Sequence, residues 1–183
     1  MNTRTRATIE DLTQVPENGK AELVDGELLI MSPTGYLPGY AGGEIFASLR
    51  EYARRTKTGL ATPDNVGYTV HLPHRDSFSP DAAFYTGART GMKFLEGAPD
   101  FAVEVRSEGD YGSASESAIA NKRKDYFDAG TLVVWDVDLL SDDVVKVYRA
   151  GDPTHPTTYR RGEIAEAEPA VPGWSMPIDD LFG

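Results

Sequence analysis

Two short apolar runs, residues 101–105 and 131–137, stand on either side of a helical stretch, residues 115–129, that Gly130 closes. Two neighbouring strands joined by a helix predict a right-handed parallel βαβ unit, because only a crossover returns the chain to the same end of the sheet. Residues 66–72 and 81–85 ahead of the unit and 144–148 behind it read as further strands, bounded by Pro, Gly and Asp turns. Their close connections make them antiparallel, so the expected fold is α/β with a mixed sheet flanked by helices.

Upstream, residues 8–12 read as a short helical turn with Thr8 as its N-cap and acids in the first turn. Residues 21–24 and 27–31 flank Asp25-Gly26, a two-residue link that predicts an N-terminal β-hairpin, and Ser32-Pro33-Thr34-Gly35 stops its second strand. From 39 to 57 the spacing of Ile45, Leu49, Tyr52 and Ala53 predicts a long helix, with Arg50, Arg54, Arg55 and Lys57 gathered toward its end. That basic cluster has two readings, a solvated face complementing the helix dipole or a DNA contact. Beyond Ala150 the chain is rich in Pro, Gly, Glu and Thr and reads as a tail packed on the sheet through Trp174, Leu181 and Phe182. No repeat divides the chain, and its 183 residues fit one domain, 1–183.

The absence of Cys excludes disulfides, thiolate metal sites and a cysteine nucleophile, and three His make a histidine-rich metal site a poor fit. Carboxylates, Lys and hydroxyls remain, a donor set that suits Mg²⁺ or Mn²⁺. No apolar run is long enough to span a membrane and the first six residues lack an apolar leader, so the cytoplasm is the expected compartment. A formal charge of −11 argues against a uniformly basic nucleic-acid coat. Screening over about 8 Å still allows a local basic stripe or a bound divalent cation to hold a phosphate backbone.

Glu104 lies within an apolar strand, where an unpaired carboxylate is costly to desolvate, so it requires a cation or a metal. Alternation puts Ala102, Glu104 and Arg106 on one face, which leaves open a plain Glu-Arg pair or a metal-ligand Glu. On the following helix Ala118, Ile119, Tyr126 and Ala129 define an apolar arc, and Lys122 falls inside it while Lys124 falls outside. Lys122 is therefore expected to face the sheet that carries Glu104, either covering apolar surface or meeting the carboxylate. With Asp81, which follows Pro80, two carboxylates and one ammonium are enough to hydrolyse a phosphodiester.

Pro80-Asp81, the strand 99–105, Lys122, Tyr126-Phe127-Asp128-Ala129-Gly130 and Val134-Trp135-Asp136-Val137-Asp138 together resemble the Uma-type "putative restriction endonuclease" family of the PD-(D/E)XK nuclease superfamily. The likeness extends to Glu22-Leu23-Val24-Asp25-Gly26-Glu27, Met31-Ser32-Pro33 and Pro172-Gly173-Trp174, nearly the whole chain. It implies a restriction-endonuclease-like fold, with Asp81, Glu104 and Val105 on the Mg²⁺ or Mn²⁺ side and Lys122 near the attacking water. The superfamily's usual Lys two residues after the Glu is replaced by Arg106, and the family's Lys on the next helix matches Lys122. A His common near the start of the first long helix in relatives is absent from Leu37-Pro38-Gly39-Tyr40. Among the outer acids Glu22, Glu27 and Glu44, Glu22 ranks first, because its strand precedes the helix that should cover the site.

The expected activity is metal-dependent hydrolysis of DNA phosphodiester bonds, by a protein that pairs as a homodimer. A non-catalytic nuclease-like module binding protein or nucleic acid is the alternative. A phosphoesterase acting on RNA or a smaller ester is a third reading; an open groove flanked by Arg54, Arg55 and Arg123 favours a polymer and a closed pocket a small phosphate ester.

Overall fold

Strand β8, Phe101–Val105, lies inside the main sheet and carries Glu104 one residue before its end. A computed structural model describes residues 6–16 and 19–183; the leader reading at residues 1–5 falls outside them. Among the described residues the main sheet has six strands in the order β11-β10-β9-β8-β6-β3. These are β11 (Asp152–Tyr159), β10 (Val145–Arg149), β9 (Val133–Val137), β8, β6 (Ala82–Tyr85) and β3 (Leu60–Pro63). Only the β8–β9 pair is parallel, joined by helix α3, Ser113–Asp128, as the expected βαβ unit requires.

Pleating sorts the sheet's side chains onto two faces. Phe101, Val103, Val105, Trp135 and Val137 share a core with Ile45, Leu49 and Tyr52 of helix α2, Tyr36–Thr56. On the opposite face Ala102 and Val134 pack with Tyr126 of α3 and with Tyr68 and Phe78 from a small sheet. That sheet is β5-β4-β7, made of Ser77–Phe78, Tyr68–Thr69 and Leu95–Glu96. Helix α2 begins three residues earlier than expected and ends where Lys57 adopts a left-handed conformation.

The Asp25-Gly26 turn joins β1, Ala21–Val24, to β2, Glu27–Ile30, as predicted, and both turn residues have positive φ. Helix α1, Ile9–Thr13, carries the expected Thr8 cap, reciprocated by Asp11. The hairpin is pinned to the segment before β5: Asp25 N–H donates to the His74 carbonyl, Asp76 N–H to the Leu23 carbonyl, and Leu23 N–H to Ser77 Oγ. Glu22 is buried by that docking.

Residues 151–183 hold more structure than a packed tail. Edge strand β11 extends the main sheet, and β12, Ile164–Glu166, forms a hairpin with β13, Ser175–Pro177. Pro153 and Pro156 hide β11 from a reading of propensity, yet an edge strand tolerates residues that cannot donate to a ladder. Trp174 and Leu181 are buried in the α2-side core as expected, and Phe182 packs against it. Among the described residues no helix is long and apolar enough to cross a membrane.

Candidate active site

Register places the acids. Pro63 pairs with Ala82 across β3–β6, Ala82 with Val103 across β6–β8, and Glu104 with Asp136 across β8–β9. Continuing each antiparallel register by one residue sets Asp64 opposite Asp81 and Asp81 opposite Glu104. The backbone of Asp81 is already tied there, since its N–H donates to the Val103 carbonyl at 3.0 Å. Asp64, Asp81, Glu104 and Asp136 therefore follow one another in a row, the first two just beyond the ends of β3 and β6 and the last two within β8 and β9, where α3 meets them through Lys122, Tyr126 and Arg123. Like charges directly opposite one another repel, so the row is stable only with cations between its members.

Three basic groups supply them. Lys20 Nζ lies 2.6 Å from Asp81 Oδ1 and 2.7 Å from Asp64 Oδ1. Lys122 Nζ lies 2.8 Å from Glu104 Oε2 and 2.9 Å from Glu22 Oε1. Arg106 clasps Asp136 with Nε and Nη2, both at 2.8 Å, and also pairs with Glu116. Arg106 thus shares a face with Glu104 but serves the neighbouring acid, and a plain Glu104-Arg106 pair does not form. The register of the parallel ladder decides this, because Asp136 sits beside Glu104 at the guanidinium's reach.

Lys122 faces the sheet as its helical position predicted, although Ala118 of the expected arc is exposed and Ile119 only half-buried. One turn on, Tyr126 donates its hydroxyl to Glu104 Oε1 at 2.6 Å while its ring stacks on Phe78. Glu22 is 2% exposed and accepts from Arg75 Nη1 at 2.6 Å and from Ser79 N–H at 3.0 Å. Arg75 also donates through Nε to Asp125, which meets His74 as well. Of the acids weighed with Glu22, Glu27 is exposed on β2, and Glu44 lies beside Tyr40 on α2.

Burial pushes the Glu104 carboxyl up, and Asp81 and Glu22 push the same way against the pull of Lys122. Burial also works to raise Glu22, but Lys122 and Arg75 overcome it and hold that carboxyl below its ordinary value. For Lys122 burial works to lower the ammonium's pKa, and Glu104 and Glu22 more than offset it, so the group stays charged with a raised pKa. Burial pushes the Tyr126 hydroxyl up, with Glu104 adding to the effect, so it remains a donor.

Asp81 and Glu104 are neighbours across the ends of β6 and β8, with Lys20 on Asp81 and with Lys122 and Tyr126 on Glu104. Val105 N–H donates to Asp81 Oδ2 at 2.7 Å, and in a pleated strand a residue's carbonyl points to the same side as its N–H, so the Val105 oxygen faces the Asp81 side too. Among the described residues no three His, Asp or Glu side chains converge as a ready-made cage. Two carboxylates and a carbonyl are nevertheless a donor set that fits Mg²⁺, which keeps several waters and is usually bound by one or two carboxylates. Charge balance agrees: Glu22, Asp64, Asp81, Glu104 and Asp125 face Lys20, Arg75 and Lys122, an excess of negative charge that a divalent cation would neutralise.

The basic end of α2 does not reach this row. The helix passes Asp81 at Gly42, where an added Cβ would lie 3.6 Å from Asp81 Cβ, and Arg54 is about 18 Å of helical rise further on. Arg123 stacks on Tyr148 at 3.6 Å and stands 3.8 Å from Asp136. Sequence reasoning missed Lys20, Asp64, Arg75 and the hydroxyl of Tyr126. For Lys20 there was a usable signal, since strand alternation sets it on the same side as Glu22, two residues away.

The six-stranded mixed sheet with its single parallel pair and a helix on each face has a solved counterpart. A crystal structure from Anabaena variabilis ATCC 29413, described as "a putative nuclease belonging to DUF820", aligns with a TM-score of 0.73 at 17% identity, covering 96% of this chain and 97% of that one. At that identity the likeness establishes the fold. The chain belongs to the Uma2 family, described as "Putative restriction endonuclease", whose family model matches residues 8–179. No curated protein matches it.

Proposed function

We propose that this protein is a metal-dependent endonuclease that hydrolyses DNA phosphodiester bonds. The observation that carries the reading is the convergence of Glu22, Asp81, Glu104 and Lys122, from four separate segments, at one end of β8. Asp81, Glu104 and the Val105 carbonyl would hold Mg²⁺ or Mn²⁺, which when bound supplies charge neutralisation at the phosphate and a more acidic water. Lys122 positions that water or steadies charge on the phosphate. Flanked by two carboxylates that raise its pKa, it is a cationic donor rather than a proton acceptor. Glu22 holds the Lys122 ammonium as a second partner beside Glu104, and Tyr126 fixes the Glu104 carboxylate.

We read residues 1–183 as one domain, since both helices share cores with a single sheet. Two copies acting together would serve the two strands of a duplex, which supports a homodimer. The cytoplasm is the proposed compartment.

Supercoiled plasmid incubated with Mg²⁺ or Mn²⁺ tests the reading. The parent is expected to nick it, and Asp81→Asn and Glu104→Gln to lose nicking together with metal-dependent thermal stabilisation. Binding of duplex by a parent that neither nicks nor responds to metal would instead establish the non-catalytic module, a reading favoured by Lys20 and Lys122, which already pair with Asp81 and Glu104.

A further inference from the structure

Lys20 has no part in the reading above, yet it makes the most direct contact with Asp81. Its ammonium sits between two carboxylates of the acidic row, 2.6 Å from Asp81 and 2.7 Å from Asp64, with the side chain only 16% exposed. Asp64 lies at the turn after β3 and is half exposed, whereas Asp81 is 22% exposed and also bound by the Val105 N–H. The ammonium therefore spans an inner partner that faces the proposed metal position and an outer partner that faces solvent.

We propose that Lys20 is a built-in counter-cation that competes with the divalent metal for Asp81, and that Asp64 is the anchor that keeps its charge at the site when it lets go. This rests on the metal-dependent reading of the site. The physical reason is the acidic row: without a cation Asp64, Asp81 and Glu104 would face one another as bare like charges across neighbouring strands, so the metal-free fold needs an internal substitute. A short move of Nζ onto Asp64 frees Asp81 Oδ1 while leaving a positive charge beside the place where the substrate phosphate would lie. Lys20 is thus a positioning residue, and its effect should appear in metal affinity before any turnover.

Titration of the full-length protein with Mn²⁺, followed by calorimetry, tests this with Lys20→Met, Lys20→Gln, Lys20→Arg and Asp81→Asn. Loss of the ammonium is expected to tighten Mn²⁺ binding at least tenfold and to enlarge its stabilisation against heat, with Lys20→Arg near the parent. A purely structural Lys20 would not tighten binding when removed. Circular dichroism checks folding, and if Lys20→Met does not fold, the polar Lys20→Gln decides. Unchanged or weaker binding in the folded charge-removing variant, alongside a parent whose binding disappears in Asp81→Asn, overturns the Lys20 role and leaves the metal site standing. Absence of binding in every protein overturns both.

Discussion

Lys122→Met isolates what the ammonium does for the fold. In the parent, Nζ bridges a Glu22 side chain that is 3% exposed and a Glu104 side chain that is 26% exposed. Breaking a buried pair from one side costs about 3–5 kcal/mol, because a carboxylate is left without its partner. Here Arg75 still holds Glu22, Tyr126 still donates to Glu104, and Met fills most of the lysine stem's volume, which places the cost near the lower bound, about 3 kcal/mol. For a chain of this size that corresponds to a fall in Tm of about 6–12 °C.

The pH dependence carries a definite sign. The Lys122 ammonium has a raised pKa, so its contribution is complete at neutral pH and is lost only as pH rises through its folded value. Glu22, held low, stabilises the parent above the ordinary carboxylate range, and this is lost as pH falls through its folded value. Without Lys122 both carboxyls move up, and each regains neutrality by taking a proton as pH falls. The deficit of the variant should therefore be largest at pH 8 and shrink toward pH 5, read from urea unfolding at several pH values with the linear slope held common. A deficit under about 1 kcal/mol at pH 8, or one that grows on acidification, would refute the claim that Lys122 is the shared counter-ion of Glu22 and Glu104.

Arg106→Ala should cost about 3 kcal/mol, since Asp136 is 3% exposed and loses its two-pronged partner while Arg123 stands 3.8 Å away. Its nicking rate, measured well below its Tm, is expected to stay within a few-fold of the parent, because the Arg106 guanidinium pairs with Asp136 and Glu116 and with none of the side chains assigned to the reaction. Trp174→Ala should cost about 3–5 kcal/mol by thermal or urea unfolding. The indole is buried against Trp135 and Phe101 and donates to Ser48 Oγ at 3.0 Å, so a cost near zero would show that residues 151–183 are not part of the core.

Much of the site was legible because its residues obey local periodicities. Lys122 and Tyr126 are four apart on one helix, so either one, once placed against the sheet, places the other. Glu104 stands out because its neighbours in β8 are apolar, and Asp25-Gly26 announces a hairpin through backbone conformations that few other pairs adopt. Arg106 shows the limit of such reasoning. Alternation correctly sets it on the Glu104 face, but which carboxylate it meets depends on the strand that lies alongside, and that strand begins 27 residues later.

Local sequence determined the element types of the βαβ unit, the hairpin and the long helix, and the exclusion of cysteine chemistry. Periodicity and side-chain chemistry are properties of adjacent residues, and they survive without knowledge of the fold. Tertiary structure alone decided that Asp64, Asp81, Glu104 and Asp136 line up in a row and that Lys20, Lys122 and Arg106 divide it among them. It also decided that a polar, proline-bearing segment could become edge strand β11. Register between strands is set by packing over long separations, and no local pattern encodes which charges that packing brings face to face.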